Sequence, residues 1–105
     1  MMKIVLSSAL QTYMTQVGSS LLRVKLDAAR CCNGAYYGVS VDTRQPQDPS
    51  KYVCVEQDGL QVFVATKLAQ HTSVIELEYG RRLFGMKTFL VGPEELLDAV
   101  LMGFV

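Results

Sequence analysis

The stretch Tyr52-Val53-Cys54-Val55-Glu56-Gln57-Asp58-Gly59-Leu60-Gln61-Val62-Phe63-Val64-Ala65 decides the fold. Both arms are rich in β-branched and aromatic side chains, and the Asp-Gly between them suits a tight turn whose central residues take positive φ. The spacing predicts two strands, Tyr52 to Glu56 and Leu60 to Ala65, joined across Gln57-Asp58-Gly59. Immediately upstream, Thr43 to Lys51 holds Pro46, Asp48, Pro49 and Ser50 with two glutamines, a composition that reads as a surface loop. Before that loop, Tyr37, Val39 and Val41 alternate with Gly38, Ser40 and Asp42, and Leu22, Val24 and Leu26 alternate with Arg23, Lys25 and Asp27. Both runs have the period of a strand with one wet face. Between them lies Ala28-Ala29-Arg30-Cys31-Cys32-Asn33-Gly34, where Asn-Gly favours a turn, so the two adjacent cysteines are expected at an antiparallel connection.

Toward the N-terminus, Ser7 reads as a helix N-cap, followed by Leu10, Met14 and Val17 at helical spacing, and Gly18 suits a left-handed stop. This predicts a helix from about Ser7 to Val17, whereas Lys3-Ile4-Val5-Leu6 is too short to classify. Downstream of the hairpin, Thr66 to Gln70 predicts one helical turn, Val74, Ile75 and Leu77 a strand, and Met86 to Val91 another. Gly92-Pro93-Glu94-Glu95 marks a helix start, since proline suits the first turn and acids complement its positive end. The helix, about residues 93–104, places Leu96, Leu97, Val100, Leu101 and Phe104 on one apolar stripe that must dock either on its own sheet or on a second copy. The whole reads as a single α+β domain, mainly β, over residues 1–105.

Composition narrows the function classes. The 105 residues carry ten Lys plus Arg against ten Asp plus Glu, and half are hydrophobic. A zero formal charge gives no broad basic field for nucleic acid or anionic lipid. No apolar run approaches the ~20 residues of a membrane span, and Ser7, Ser8, Gln11 and Thr12 interrupt the apolar start too soon for a signal peptide. A soluble, cytoplasmic protein that binds neither nucleic acid nor membrane is expected. Three cysteines, Cys31, Cys32 and Cys54, form an odd set, and reduced thiols are the expectation.

The adjacent Cys31 and Cys32 are the candidate site. Deprotonated, they offer soft sulfur ligands for iron, an iron–sulfur unit, zinc or copper(I). Arg30 before them could lower a thiol pKa, and Asn33-Gly34 supplies backbone amides that can face an anion or sulfide. One chain cannot close a tetrahedral site with these two, and even Cys54 as an additional ligand leaves the set one short, so a second subunit across a two-fold axis is one way to complete it. Against this stands the reading of Cys31 and Cys32 as small packing residues, and Cys54, inside a strand, reads more readily as packing than as ligand. His71 has no partner at ligand spacing and reads as a solvated loop residue. Arg81-Arg82 reads as a solvated charge pair at a strand start, and Tyr36 and Tyr37 as one core and one surface ring. No Ser/His/Asp set, paired carboxylates or glycine-rich phosphate loop stands out, which disfavours a hydrolytic enzyme.

Several segments together resemble a known family. Lys3-Ile4-Val5-Leu6-Ser7-Ser8-Ala9-Leu10, the turn Cys32-Asn33-Gly34-Ala35-Tyr36-Tyr37-Gly38 and the hairpin from Val53 to Val64 are similar to the HesB-like, A-type iron–sulfur biosynthesis domain, over roughly Lys3 to Val91. In that family's pattern a Gly-Cys-Ser-Gly turn is followed by an aromatic residue and a glycine, so Cys32 takes the place of the first ligand cysteine and Gly34 that of the glycine after it. The resemblance implies a compact HesB-like β-sandwich of mostly antiparallel strands with an N-terminal and a C-terminal helix. It implies thiolate binding of iron or an iron–sulfur cluster, commonly at a homodimer contact, and exchange of that cargo with donor or recipient proteins. Two departures stand out: the family's C-terminal Cys-Gly-Cys is absent, with Gly92-Pro93-Glu94-Glu95 in its place, and Cys31 replaces a glycine, giving a vicinal Cys-Cys subgroup. Three functions follow: a non-catalytic iron or cluster binder, a thiol redox or sulfur-transfer protein using the Cys31-Cys32 pair, or an interaction module that docks through its C-terminal helix.

Overall fold

The computed structural model describes residues 2–31, 34–81 and 87–101, with side chains for all of these but 28–31, 34–37, 81, 87 and 101. The chain runs β1 (Lys3–Leu6), α1 (Ser8–Val17), β2 (Leu21–Cys31), β3 (Gly34–Asp42), a single 3-10 turn (Pro49–Lys51), β4 (Tyr52–Gln57), β5 (Leu60–Ala65), α2 (Thr66–His71), β6 (Val74–Arg81), β7 (Lys87–Gly92) and α3 (Glu94–Leu101). The strands form two sheets, one in the order β3-β2-β5-β4 and one in the order β1-β6-β7.

Local chemistry fixes the elements that the sequence marks most clearly. Ser7 caps α1 by accepting from the Leu10 amide at 3.1 Å, and Gly18, at φ 69°, ends the helix while its amide and that of Ser19 donate to Thr15 and Met14. In the hairpin, Asp58 and Gly59 take φ 52° and 80°, the mirror-image turn whose twist matches that of the flanking strands. Along β5, Leu60, Val62 and Val64 are buried while Gln61 is exposed, as expected of a half-wet strand. The mainly β, α+β architecture and the largely antiparallel pairing are as anticipated: β2/β3, β4/β5 and β6/β7 are antiparallel, and β1/β6 and β2/β5 are parallel.

Several local expectations change. Lys3–Leu6 is a strand, because it finds β6, with Lys3 opposite Val74 and Leu6 opposite Leu77, and this buries Ile4. Ala28 to Cys31 continue β2 instead of belonging to a loop, since each is paired with β3. The segment after β5 is a six-residue helix, not one turn, anchored by the fully buried Leu68. His71 is the exposed last residue of that helix, and Arg81 ends β6 instead of opening a strand. Pro93 stands one position before α3, where its carbonyl accepts from the Leu96 amide at 3.0 Å.

The core lies between the sheets and α1, and includes Leu10, Met14, Leu22, Val24, Val62, Val64, Ile75 and Leu77. Burying each such side chain is worth about 1.5–3 kcal/mol relative to leaving it exposed. Of the two destinations foreseen for the apolar C-terminal helix, its own chain is the one observed. Leu96 and Val100 are buried in the core, and α3 lies against β3 and β7. Two residues of its apolar stripe are thus covered by the chain itself, Leu97 is half-buried, and the Leu101 side chain is outside those described. Phe104, expected on the same stripe, lies outside the described residues. Among the described residues, no helix is long and apolar enough to cross a membrane.

Candidate functional site

The site is built from the two longest strands. β2 pairs with β5 only from Leu21 to Val24, opposite Gln61 to Val64, but its pairing with β3 runs from Arg23 opposite Asp42 to Cys31 opposite Gly34. Past Val24 the two strands continue as a ribbon that β5 no longer accompanies, and Cys31 is the last residue of its outgoing strand. Gly34 opens the returning strand, and Arg30 stands opposite Ala35. Cys32 and Asn33 lie outside the described residues, as do the side chains of Arg30, Cys31, Tyr36 and Tyr37. The expected placement of Cys31 at a strand-to-strand connection agrees with the backbone.

The third cysteine is somewhere else. Cys54 on β4 stands opposite Phe63, Phe63 opposite Arg23, and Arg23 opposite Asp42, so the four share one row across the sheet. Cys31 lies eight positions further along β2 than Arg23, about 26 Å at the rise of a strand, and Cys54 lies two strands to the side, about 10 Å. The two Cα atoms are therefore roughly 28 Å apart, whereas two cysteines on one metal, with sulfur about 2.3 Å from the ion, need Cα atoms within about 9 Å. Cys54 cannot join Cys31 on one ion within the same chain. Nor is it a packing residue, as its place within a strand suggested: β4 is an edge strand and Cys54 is exposed, a free thiol. Among the described residues, no three His, Cys, Asp or Glu side chains gather where a metal could sit.

In the same row, Arg23 holds Asp42 through two hydrogen bonds, Nε to Oδ1 at 2.9 Å and Nη2 to Oδ2. Burial pushes the Asp42 carboxyl up, but the Arg23 hydrogen bond, the Arg44 amide and the charges of Arg23 and Lys25 outweigh it and hold it below the usual carboxylate range. Arg23 is raised in turn, chiefly by its bond to Asp42. The pair pins the base of the ribbon that carries Cys31. Its signal was present in the sequence: Arg23 and Asp42 are opposite charges equidistant from the turn between the two alternating runs, as an antiparallel pair must be.

A model of the CC/Se motif containing family matches residues 2–91. Among solved structures, Escherichia coli SufA, described as involved in biosynthesis of iron–sulfur clusters, superposes with a TM-score of 0.54 at 16% identity, covering 86% of this chain and 79% of that one. IscA, solved with a [2Fe-2S] cluster, superposes with a TM-score of 0.55 at 14% identity, covering 87% and 85%. No curated protein matches the sequence. At these identities the likeness establishes the fold, and the HesB-like architecture expected from the sequence is the one observed.

Proposed function

The chain belongs to the CC/Se motif containing family, and from that premise we propose that Cys31-Cys32 is its working motif, holding iron or an iron–sulfur unit as cargo between two copies of the chain. The observation that carries this reading is the position of Cys31 at the end of a two-stranded ribbon that outruns the rest of its sheet. Two copies meeting at that end across a two-fold axis would supply the four sulfurs that one chain lacks. The fold shared with SufA and with cluster-bearing IscA supports the same cargo. The sequence sets the basic Arg30 next to the pair, and a cationic neighbour is of the kind that favours a thiolate. Such a protein is not an enzyme: it takes cargo from a donor protein in the cytoplasm and passes it to a recipient. The lost C-terminal Cys-Gly-Cys, replaced by the start of α3, leaves the vicinal pair to do the binding alone.

Anaerobic reconstitution with iron and sulfide tests this, comparing the parent with Cys31→Ser and Cys32→Ser. The parent should gain sulfur-to-iron charge-transfer absorbance and bound iron near half a cluster per chain, with both lost in Cys32→Ser. A parent that binds no iron would reject the reading.

A second reading is favoured by the family's description, which sets Cys-Cys beside selenium. Selenium outperforms sulfur as a nucleophile and leaving group, an advantage in exchange chemistry more than in packing. Here the Cys32 thiolate attacks a peroxide, gaining an oxygen as sulfenic acid while the other oxygen leaves as hydroxide. The Cys31 thiol then condenses with it, expelling water and closing a disulfide that an external dithiol reduces. Mass spectrometry after mild peroxide separates the two: loss of two hydrogens at Cys31-Cys32 supports redox chemistry, and unmodified thiols exclude it.

A further inference from the structure

The central strands part beyond Val24 and Val64: β5 ends at Ala65 and turns into α2, while β2 runs on. The gap is an open cleft of about 700 Å³. Leu26, Ala65 and Tyr52 give it an apolar side, and Lys51, Thr66, Lys67 and Gln70 a polar one. That volume lies within the usual range for small-molecule sites, which pair an apolar wall with a few polar groups. Among the described residues, no carboxylate lines it. Two acids stand nearby: Asp48 accepts from the Ser50 amide at 3.2 Å and from the Ser50 hydroxyl at 2.5 Å and also feels the charge of Lys51, and Asp27 faces Lys25 at 3.6 Å. Among the described residues, neither Lys51 nor Lys67 is paired with a carboxylate.

We propose that this cleft binds a small phosphate monoester, its phosphate between the Lys51 and Lys67 ammonium groups and its organic body against Leu26, Ala65 and Tyr52. Two cations match the nearly doubly charged phosphate better than a single carboxylate, and lysine serves phosphate as a point charge. Leu26 precedes Cys31 by five positions on β2, about 16 Å, so the cleft is separate from the vicinal thiols and stands or falls independently of them.

The test is a titration of the ¹⁵N-labelled full chain with phenyl phosphate, followed by amide shifts. Saturable shifts are expected at Lys51, Tyr52, Thr66, Lys67 and Gln70, weakening as salt is raised, with inorganic phosphate binding several-fold more weakly because it leaves the apolar wall empty. The double variant Lys51→Gln/Lys67→Gln should keep the parent's spectrum, since both side chains are exposed, and lose at least tenfold in affinity. Absence of saturable shifts at millimolar phenyl phosphate, or equal binding by the double variant, would overturn the proposal. Benzoate binding as tightly as phenyl phosphate would overturn its assignment to phosphate.

Discussion

Replacing Cys54 with serine should leave metal loading intact, and the reason is distance. Cys54 shares a row with Arg23, and Cys31 stands eight positions beyond that row. Combining about 26 Å along the strand with about 10 Å across two strands gives roughly 28 Å, about three times what a shared ion allows. Twist within the sheet changes that figure by a few ångströms, far less than the shortfall. Under anaerobic iron and sulfide titration, Cys54→Ser should bind iron per chain within error of the parent, while Cys32→Ser loses it. Mild oxidation of dilute, monomeric protein should give no bridge from Cys54 to Cys31 or Cys32 in non-reducing peptide maps. The reasoning fails if Cys54→Ser loses iron as Cys32→Ser does, or if such a bridge forms within one chain.

Three further outcomes follow from the packing. Leu96→Ala should destabilise the fold by about 3 kcal/mol, because it opens a cavity where α3 meets the core, and lower Tm by roughly 10–20 °C; a loss under 1 kcal/mol in urea unfolding would show α3 to be peripheral. Gly59→Ala places a side chain at φ 80° and should cost about 1–2 kcal/mol, whereas Gly38→Ala, with open space at its Cβ, should cost distinctly less. The folded state holds the Asp42 carboxyl below its unfolded pKa, so its contribution is complete above the unfolded value of about 4 and is lost as pH falls through the lower, folded value. Asp42→Asn should cost about 1 kcal/mol at pH 7, and the gap to the parent should close in acid; an equal gap at pH 7 and pH 2 would contradict the pair's role.

The parts of the fold legible in the sequence are those whose cause is local. Asp58-Gly59 sets its own turn, Ser7 and Gly18 bracket α1, and alternation reveals β2, β3 and β5. β1 was not legible, because its four residues become a strand only on meeting β6 far along the chain. Ala28 to Cys31 have little strand preference of their own and extend because β3 is already beside them. Alternation set Cys54 apart from its neighbours but could not tell that β4 lies at an edge, so a residue expected inside is exposed. For the candidate site, the alternating runs on either side located Cys31 where one strand hands over to the next. The isolation of Cys54 needed the parallel register of β2 with β5, which leaves no trace in either strand's composition.

The parallel pairing of β1 with β6 also constrains the order of events at the ribosome. Residue 3 finds its partner only at residue 74, so β1 leaves the exit tunnel well before β6 has been made. Closing so long a loop is slow and rewards nothing until it is complete. The sheet containing β1 thus assembles late in synthesis, and until then an apolar strand, Ile4 included, waits uncovered for chaperones or for the rest of its own chain.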